Sequence, residues 1–177
     1  MKELLEAIEH DNLVKMKALL ELGIDLSAPI LIGEEYELED YDEISLLFYV
    51  IRNHGSMEAI EMLLGYGLDI KECNDMGISA LDTAIKFKRH DMIELCINKG
   101  LDVNVSNRRS GITPLMLASC FNNIRTVELL LASGADINAI DRAGMSPKDY
   151  ARKLGQKKMQ EFLAERGGEF SAYQEIS

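Results

Sequence analysis

Apolar residues recur along this chain in a helical rhythm that is broken at regular intervals. Ile93, Cys96 and Ile97 stand three and four residues apart, as do Val127, Leu130 and Leu131. That spacing places them on one face of a helix. Each such run ends on a glycine and passes into a short polar turn. The block Leu129-Leu130-Leu131-Ala132-Ser133-Gly134-Ala135-Asp136-Ile137-Asn138 has a copy in Leu95-Cys96-Ile97-Asn98-Lys99-Gly100-Leu101-Asp102-Val103-Asn104. Shorter copies begin at Leu63 and Leu19. The glycines fall at 23, 67, 100, 134 and 167, at spacings of 44, 33, 34 and 33.

A second mark lies upstream of the later glycines. Thr113-Pro114-Leu115-Met116-Leu117-Ala118 is matched by Ser79-Ala80-Leu81-Asp82-Thr83-Ala84, and more weakly from Ser45 and Ser146. Ser or Thr before a helix caps its free amides, and Pro fits the first helical position. Small residues such as Ala84, Ala118 and Ala151 let neighbouring helices approach. Glycine then ends the second helix, where positive φ is usual. The pattern predicts an all-α stack of helix-turn-helix units.

This pattern resembles the ankyrin repeat over about residues 2–167. The resemblance implies a repeat solenoid of about five units, two of them terminal caps, at 2–26, 40–73, 74–106, 107–139 and 140–168. An acidic insertion at 27–43 and a C-terminal tail at 169–177 lie outside the repeat. The family's usual His after Thr-Pro-Leu is missing, with Phe48, Asp82, Met116 and Asp149 in its place. The hydrogen bonds that His makes between repeats must be replaced or lost, and modest stability is expected. Asn104 and Asn138 are assigned to turn hydrogen bonding. Both terminal units suit caps, the last showing Gln156, Lys157, Lys158, Gln160 and Glu161 to water. The tail is expected either to be mobile or to fold back on the final helix through Phe170 and Tyr173.

The long spacing between Gly23 and Gly67 has two sources. One is an extra residue near Asn53-His54-Gly55; the other is the insertion. The insertion carries Glu34, Glu35, Tyr36, Glu37, Glu39, Asp40, Tyr41 and Asp42. Tyrosines among carboxylates suit a basic protein surface. Residues 1–73 hold 17 acids and 5 bases, a net of −12, whereas residues 74–177 hold 13 acids and 14 bases, a net of +1. This imbalance speaks against nucleic acid or an anionic membrane and favours a basic protein partner.

Chemistry is sparse. His10, His54 and His90 are isolated and fit no metal-ligand spacing. Cys73, Cys96 and Cys120 form no C-x-x-C pair and read as reduced thiols, with Cys96 in the core. Gly65-Tyr66-Gly67 ends a helix, so it is no dinucleotide loop. The acidic, amphipathic start Met1-Lys2-Glu3-Leu4-Leu5-Glu6 speaks against a secretory signal. No apolar run approaches the roughly 18 residues of a membrane helix. A cytoplasmic protein, monomeric when unbound, with no cofactor, metal or catalytic residue is expected.

The resemblance also implies where a partner sits: on the exposed side of the inner helices and on the hairpin tips. By position this gives His10, Asn53, Phe87, Phe121 and Leu154 as one column, flanked by Glu9, Arg52, Lys86 and Cys120. The tips contribute Asp75, Met76 and Ile78, then Arg109, Ser110 and Ile112, then Arg142 and Met145. The expected function is a non-catalytic protein-protein interaction module working through this concave face and the acidic loop. Two alternatives stand beside it. One is a bacterial-type inhibitor or immunity protein that neutralises a basic toxin or nuclease. The other is a structural subunit of an assembly, its contacts centred on Phe87 and Phe121.

Overall fold

Side-chain caps open six of the described helices. A computed structural model of the chain describes residues 1–32 and 42–172. Its elements run α1 (Lys2–Glu9), α2 (Leu13–Glu21), β1 (Ile30–Ile32), β2 (Asp42–Ile44), α3 (Leu46–Arg52) and α4 (Met57–Gly65). They continue as α5 (Ala80–Lys86), α6 (His90–Asn98), α7 (Pro114–Cys120), α8 (Ile124–Ala132), α9 (Pro147–Lys153) and α10 (Lys157–Ala164). Ser79, Thr113 and Ser146 sit in extended backbone before α5, α7 and α9, and each side chain accepts the N–H three residues on. Asn12, Ser56 and Asn123 do the same for α2, α4 and α8. These contacts satisfy amides that the first helical turn leaves free.

Inner and outer helices are joined by a tight turn that contains one left-handed residue per repeat. The residues are Asp11, His54, Lys88, Asn122 and Gly155. Four of the five carry a side chain, so the turn has no glycine signature in the sequence. The second repeat has one more residue here, Asn53–Ser56 against three in the others, as the spacing predicts. At the far end of the outer helices, Gly23, Gly67, Gly100, Gly134 and Gly167 all have positive φ.

The chain forms two compact units, Met1–Glu72 and Cys73–Ser177. In the first, α1 packs on α2 and α2 on α4. Its core is Leu4, Ile8, Met16, Leu46, Leu47, Ile51, Ile60 and Leu63. The insertion, expected as an acidic loop, contains a short antiparallel pair. Ile30 lies opposite Ile44, Leu31 opposite Glu43 and Ile32 opposite Asp42. Ile30 is buried and Leu31 exposed, the alternation of a half-covered strand.

In the second unit α7 packs against both α5 and α9, and each inner helix packs on its own outer helix. Ala84, Ala118 and Ala151 are fully buried, which permits that close inner layer. Leu81, Ile85, Met92, Ile93, Cys96, Leu115, Val127, Leu130, Met159 and Leu163 fill the core. Cys96 is buried, as its helical position predicts. Residues 169–172, set apart at the sequence level as a tail, are part of this unit's packing. Phe170, a candidate to fold back on the final helix, lies against the inner helix α9, its ring centre 4.3 Å from Lys148 Nζ and 5.1 Å from the Arg152 guanidinium carbon.

The vacant histidine position is filled by other acceptors. The Asp82 carboxylate takes the Ser79 N–H at 3.1 Å and the Arg108 Nε–H of the next tip at 3.3 Å. Asp149 takes the Ser146 N–H at 2.8 Å, and those of Ser171 and Ala172 at 2.9 and 3.0 Å. Met116 offers its sulfur to the Thr113 N–H. Phe48, which cannot accept, is buried.

Candidate protein-binding surface

The tips of the second unit are built from Asx turns. Asn74 Oδ1 accepts the N–H groups of Met76 and Ile78 at 3.1 and 2.9 Å. Asp141 Oδ1 accepts those of Ala143 and Met145 at 2.9 and 2.8 Å. Arg108 holds the equivalent place in the middle tip. It cannot accept, and it reaches across to Asp82 instead. The tips dock on one another: a Cβ at Gly77 would lie 2.0 Å from the Asn107 carbonyl oxygen, and Arg142 N–H donates to the Ser110 carbonyl at 3.0 Å.

Asp75, Met76, Ile78, Arg108, Arg109 and Ser110 line a groove of about 450 Å³ between the first two of these tips. Five of the six are expected at tips from the sequence; Arg108 is not among them. Its signal was the missing Asx acceptor at its place in the repeat. Met76 is 67% exposed, and Asp75, Arg109 and Arg142 are exposed, whereas Ile78 and Ile112 are half-buried. Met145 is a correction. It is only 8% exposed, because the returning limb of its tip turns the apolar side chain inward.

Below the tips, Phe87, Phe121 and Leu154 close the inner helices α5, α7 and α9 at the same place in each repeat. Phe121 is 38% and Leu154 51% exposed. Phe87 is half-buried, and exposed Lys86 stands with Nζ 5.6 Å from its ring centre. Cys120 is half-buried, and its carbonyl accepts from Gln156 Nε2 at 2.8 Å. In the first unit the matching positions, His10 and Asn53, are exposed and polar, with exposed Glu9 and Arg52 beside them. Tyr49 donates its hydroxyl to Glu9. Glu34, Glu35, Tyr36, Glu37, Glu39, Asp40 and Tyr41 lie outside the described residues, and Asp42 opens β2.

Among the described residues the histidines and cysteines lie apart from one another. His10 Nδ1 bonds its own helix at the Glu6 carbonyl, His54 is exposed in a turn, and His90 approaches Thr126 at 3.4 Å. Burial pushes the Cys96 thiol up to about 12 and the Cys120 thiol to about 11, the latter against the opposing charge of Lys153. Both remain protonated, and so poor nucleophiles, at neutral pH. Among the described residues no three His, Cys, Asp or Glu are grouped to hold a metal ion, and no helix is long and apolar enough to cross a membrane.

The turns themselves are closed by Asp102 and Asp136, whose Oδ1 atoms accept the N–H groups of Asn104 and Asn138 at 2.8 and 2.9 Å, and the Asn side chains reach onward. Asn104 Nδ2 donates to the Gly134 carbonyl at 2.9 Å and its Oδ1 accepts the Asp136 N–H at 2.8 Å. Asn138 repeats this on the Gly167 carbonyl at 3.1 Å and the Glu169 N–H at 2.8 Å. Each staples one repeat to the next.

Comparison with known proteins agrees with this architecture. The family profile described as ankyrin repeats, in three copies, matches residues 47–141 and 104–173. An L-asparaginase of Dirofilaria immitis is 29% identical over 160 residues, 90% of this chain and 25% of that protein. A fowlpox virus protein named for its ankyrin repeats is 28% identical over 85% of this chain and 20% of its own length. Protein PhlB of Serratia liquefaciens is 30% identical over 65% of this chain and 50% of its own length. The chain thus spans half or less of each of these relatives. With that profile matching more than half of the chain, which folds as capped, paired helices, the chain belongs to the ankyrin repeat family.

Proposed function

We propose that this chain is a non-catalytic protein-binding module that grips its partner through the inner-helix face and tips, with the acidic segment 34–43 as a second grip. Ankyrin repeats mediate protein–protein interaction and as a family are generally non-catalytic. The observation that carries the finer reading is the run of large apolar side chains at one position in three successive repeats. Phe121 and Leu154 remain accessible there, and Met76 joins them from a tip. Exposed aromatic and aliphatic groups beside a concavity are effective anchors, because their burial dominates binding energy.

The charge of the first 73 residues favours a basic contact on that half, which keeps the inhibitor of a basic toxin or nuclease as a second reading. The test is affinity capture from the native host at low and high salt, comparing the native chain with Phe87→Ala and Phe121→Ala variants. Loss of one identified protein from the variants supports the module reading. Retention of that protein by both variants at both salt levels sinks it. Capture of a basic protein at low salt only supports the inhibitor reading.

A further inference from the structure

Charge in the second unit is sorted by layer. The inner helices with their tips and following turns span residues 74–89, 107–123 and 140–156. Among the described residues of these windows the acids are Asp75, Asp82, Asp141 and Asp149. The last three are buried. Asp82 is bonded to Arg108 and Ser79. Asp141 accepts from Tyr150 Oη at 2.6 Å and from the turn amides. Asp149 accepts the amides of Ser146, Ser171 and Ala172. The same windows expose Lys86, Lys88, Arg109, Arg142, Arg152 and Lys153. Exposed Asp75 is thus set against six exposed cations, although residues 74–177 as a whole are close to neutral. The balancing acids, such as Glu94, Glu128, Glu161 and Glu165, lie on the outer helices α6, α8 and α10 and the turn beyond α10.

We infer that the inner face of residues 74–156 takes an acidic segment of a protein partner, one in which carboxylates alternate with large apolar side chains. This rests on the module reading above and gives that face a sign opposite to the acidic first half. The cations supply the charge complementarity. Met76, Phe121 and Leu154 supply the apolar anchors between them, and the Arg109 groove admits a side chain. The buried carboxylates keep their charge but are turned onto amides, a tyrosine hydroxyl and the Arg108 guanidinium, away from an incoming ligand; with nine Lys and Arg against four Asp in these windows the face stays cationic. A peptide fits better than a nucleic acid. A long polyanion meets the net charge of −11 of the whole chain, and these cations come in ones to threes per repeat with apolar surface between them.

The test uses the full chain and three fluorescein-labelled probes followed by anisotropy at low salt, up to millimolar protein. The probes are a peptide alternating Glu with Leu and Phe, the same peptide with Lys for Glu, and a short single-stranded RNA. The variants are Arg109→Glu with Arg142→Glu, and Phe121→Ala; all three side chains are exposed, so the fold is retained. The acidic peptide should bind, and the double reversal should weaken it about tenfold or more. Phe121→Ala should weaken it severalfold, and the Lys peptide should bind no more weakly, and if anything more tightly, after the double reversal. Several outcomes overturn the inference: no binding of the acidic peptide, acidic-peptide binding insensitive to the double reversal, or RNA binding tighter than the peptide and lost in the same variant. If only the Lys peptide responds to Phe121→Ala, the assigned sign is wrong but the module reading stands. If no peptide responds to Phe121→Ala, both fail.

Discussion

Asp149 shows how one residue can serve three neighbours. Its carboxylate closes the capping box of α9 and also receives two amides from the segment beyond Gly168. Burial alone would raise its pKa. The hydrogen bonds from Ser146, Ala172 and Ser171 outweigh that and hold it below the ordinary value of 3.8. A depressed folded-state pKa means that this contribution to stability is present above pH 3.8 and is lost as the pH falls through the depressed value. Asp149→Ala, which leaves those amides without their acceptor, should cost about 2–4 kcal/mol in urea unfolding at neutral pH. The native-to-mutant difference should shrink as the pH is lowered below 3.8. A difference that is flat with pH would contradict the charged-acceptor role. Gly77 supplies a second test. It has φ of +72°, and an added Cβ would collide with the Asn107 carbonyl, whereas Gly134, also at positive φ, has open space around it. Gly134→Ala should cost about 1 kcal/mol and Gly77→Ala at least twice that, read as thermal midpoints.

At the scale of elements, the staples and the tips determine how repeats of the second unit join. The sequence marks Asn104 and Asn138 as residues whose side chains bond within their turns, but Asp102 and Asp136 do that, and the Asn side chains tie each turn to the next repeat. Replacing Asn104 with Ala removes two such bonds at a solvent-exposed site, so a loss of about 1 kcal/mol is expected in urea unfolding. Asn138→Ala has a local consequence as well. It releases the Glu169 N–H, so hydrogen exchange should quicken at residues 169–172 while α5 to α8 keep their protection. The docked segment repeats the opening of a further unit, with Glu169 where Asp136 stands one repeat earlier. No periodic apolar signal marks it, because so short a segment holds too few apolar positions to show a period. The strand pair at 30–32 and 42–44 was likewise hidden: each strand is three residues long, too short for its alternation to stand out beside a run of carboxylates.

For the whole molecule, binding and stability should separate. Phe121 and Arg109 are exposed, so Phe121→Ala and Arg109→Glu should leave the thermal midpoint within about 1 °C while weakening partner binding severalfold. A fall in the midpoint that tracked the loss of binding would assign these residues to packing. Contacts made by charge should weaken as salt rises from about 50 to 500 mM, and contacts centred on Phe121 and Leu154 should persist.

What the sequence determined by itself was the repeat: its period, its caps, its core alanines and its closing glycines. Those follow from local rules, since a capped amphipathic helix and a left-handed glycine leave their mark in neighbouring residues. The positions of Phe121 and Arg109 were legible for the same reason, because register carries one repeat onto the next. Tertiary structure decided the rest. Met145 and Arg142 stand close together in one tip, yet Met145 goes inward and Arg142 to water. Asp82 and Asp149, counted as surface acid in a sum over the sequence, are buried on amides and a guanidinium, so the cationic sign of that face emerges only once the charges are sorted by layer. Which charges face solvent depends on packing between residues some twenty or more positions apart, and no local pattern records it.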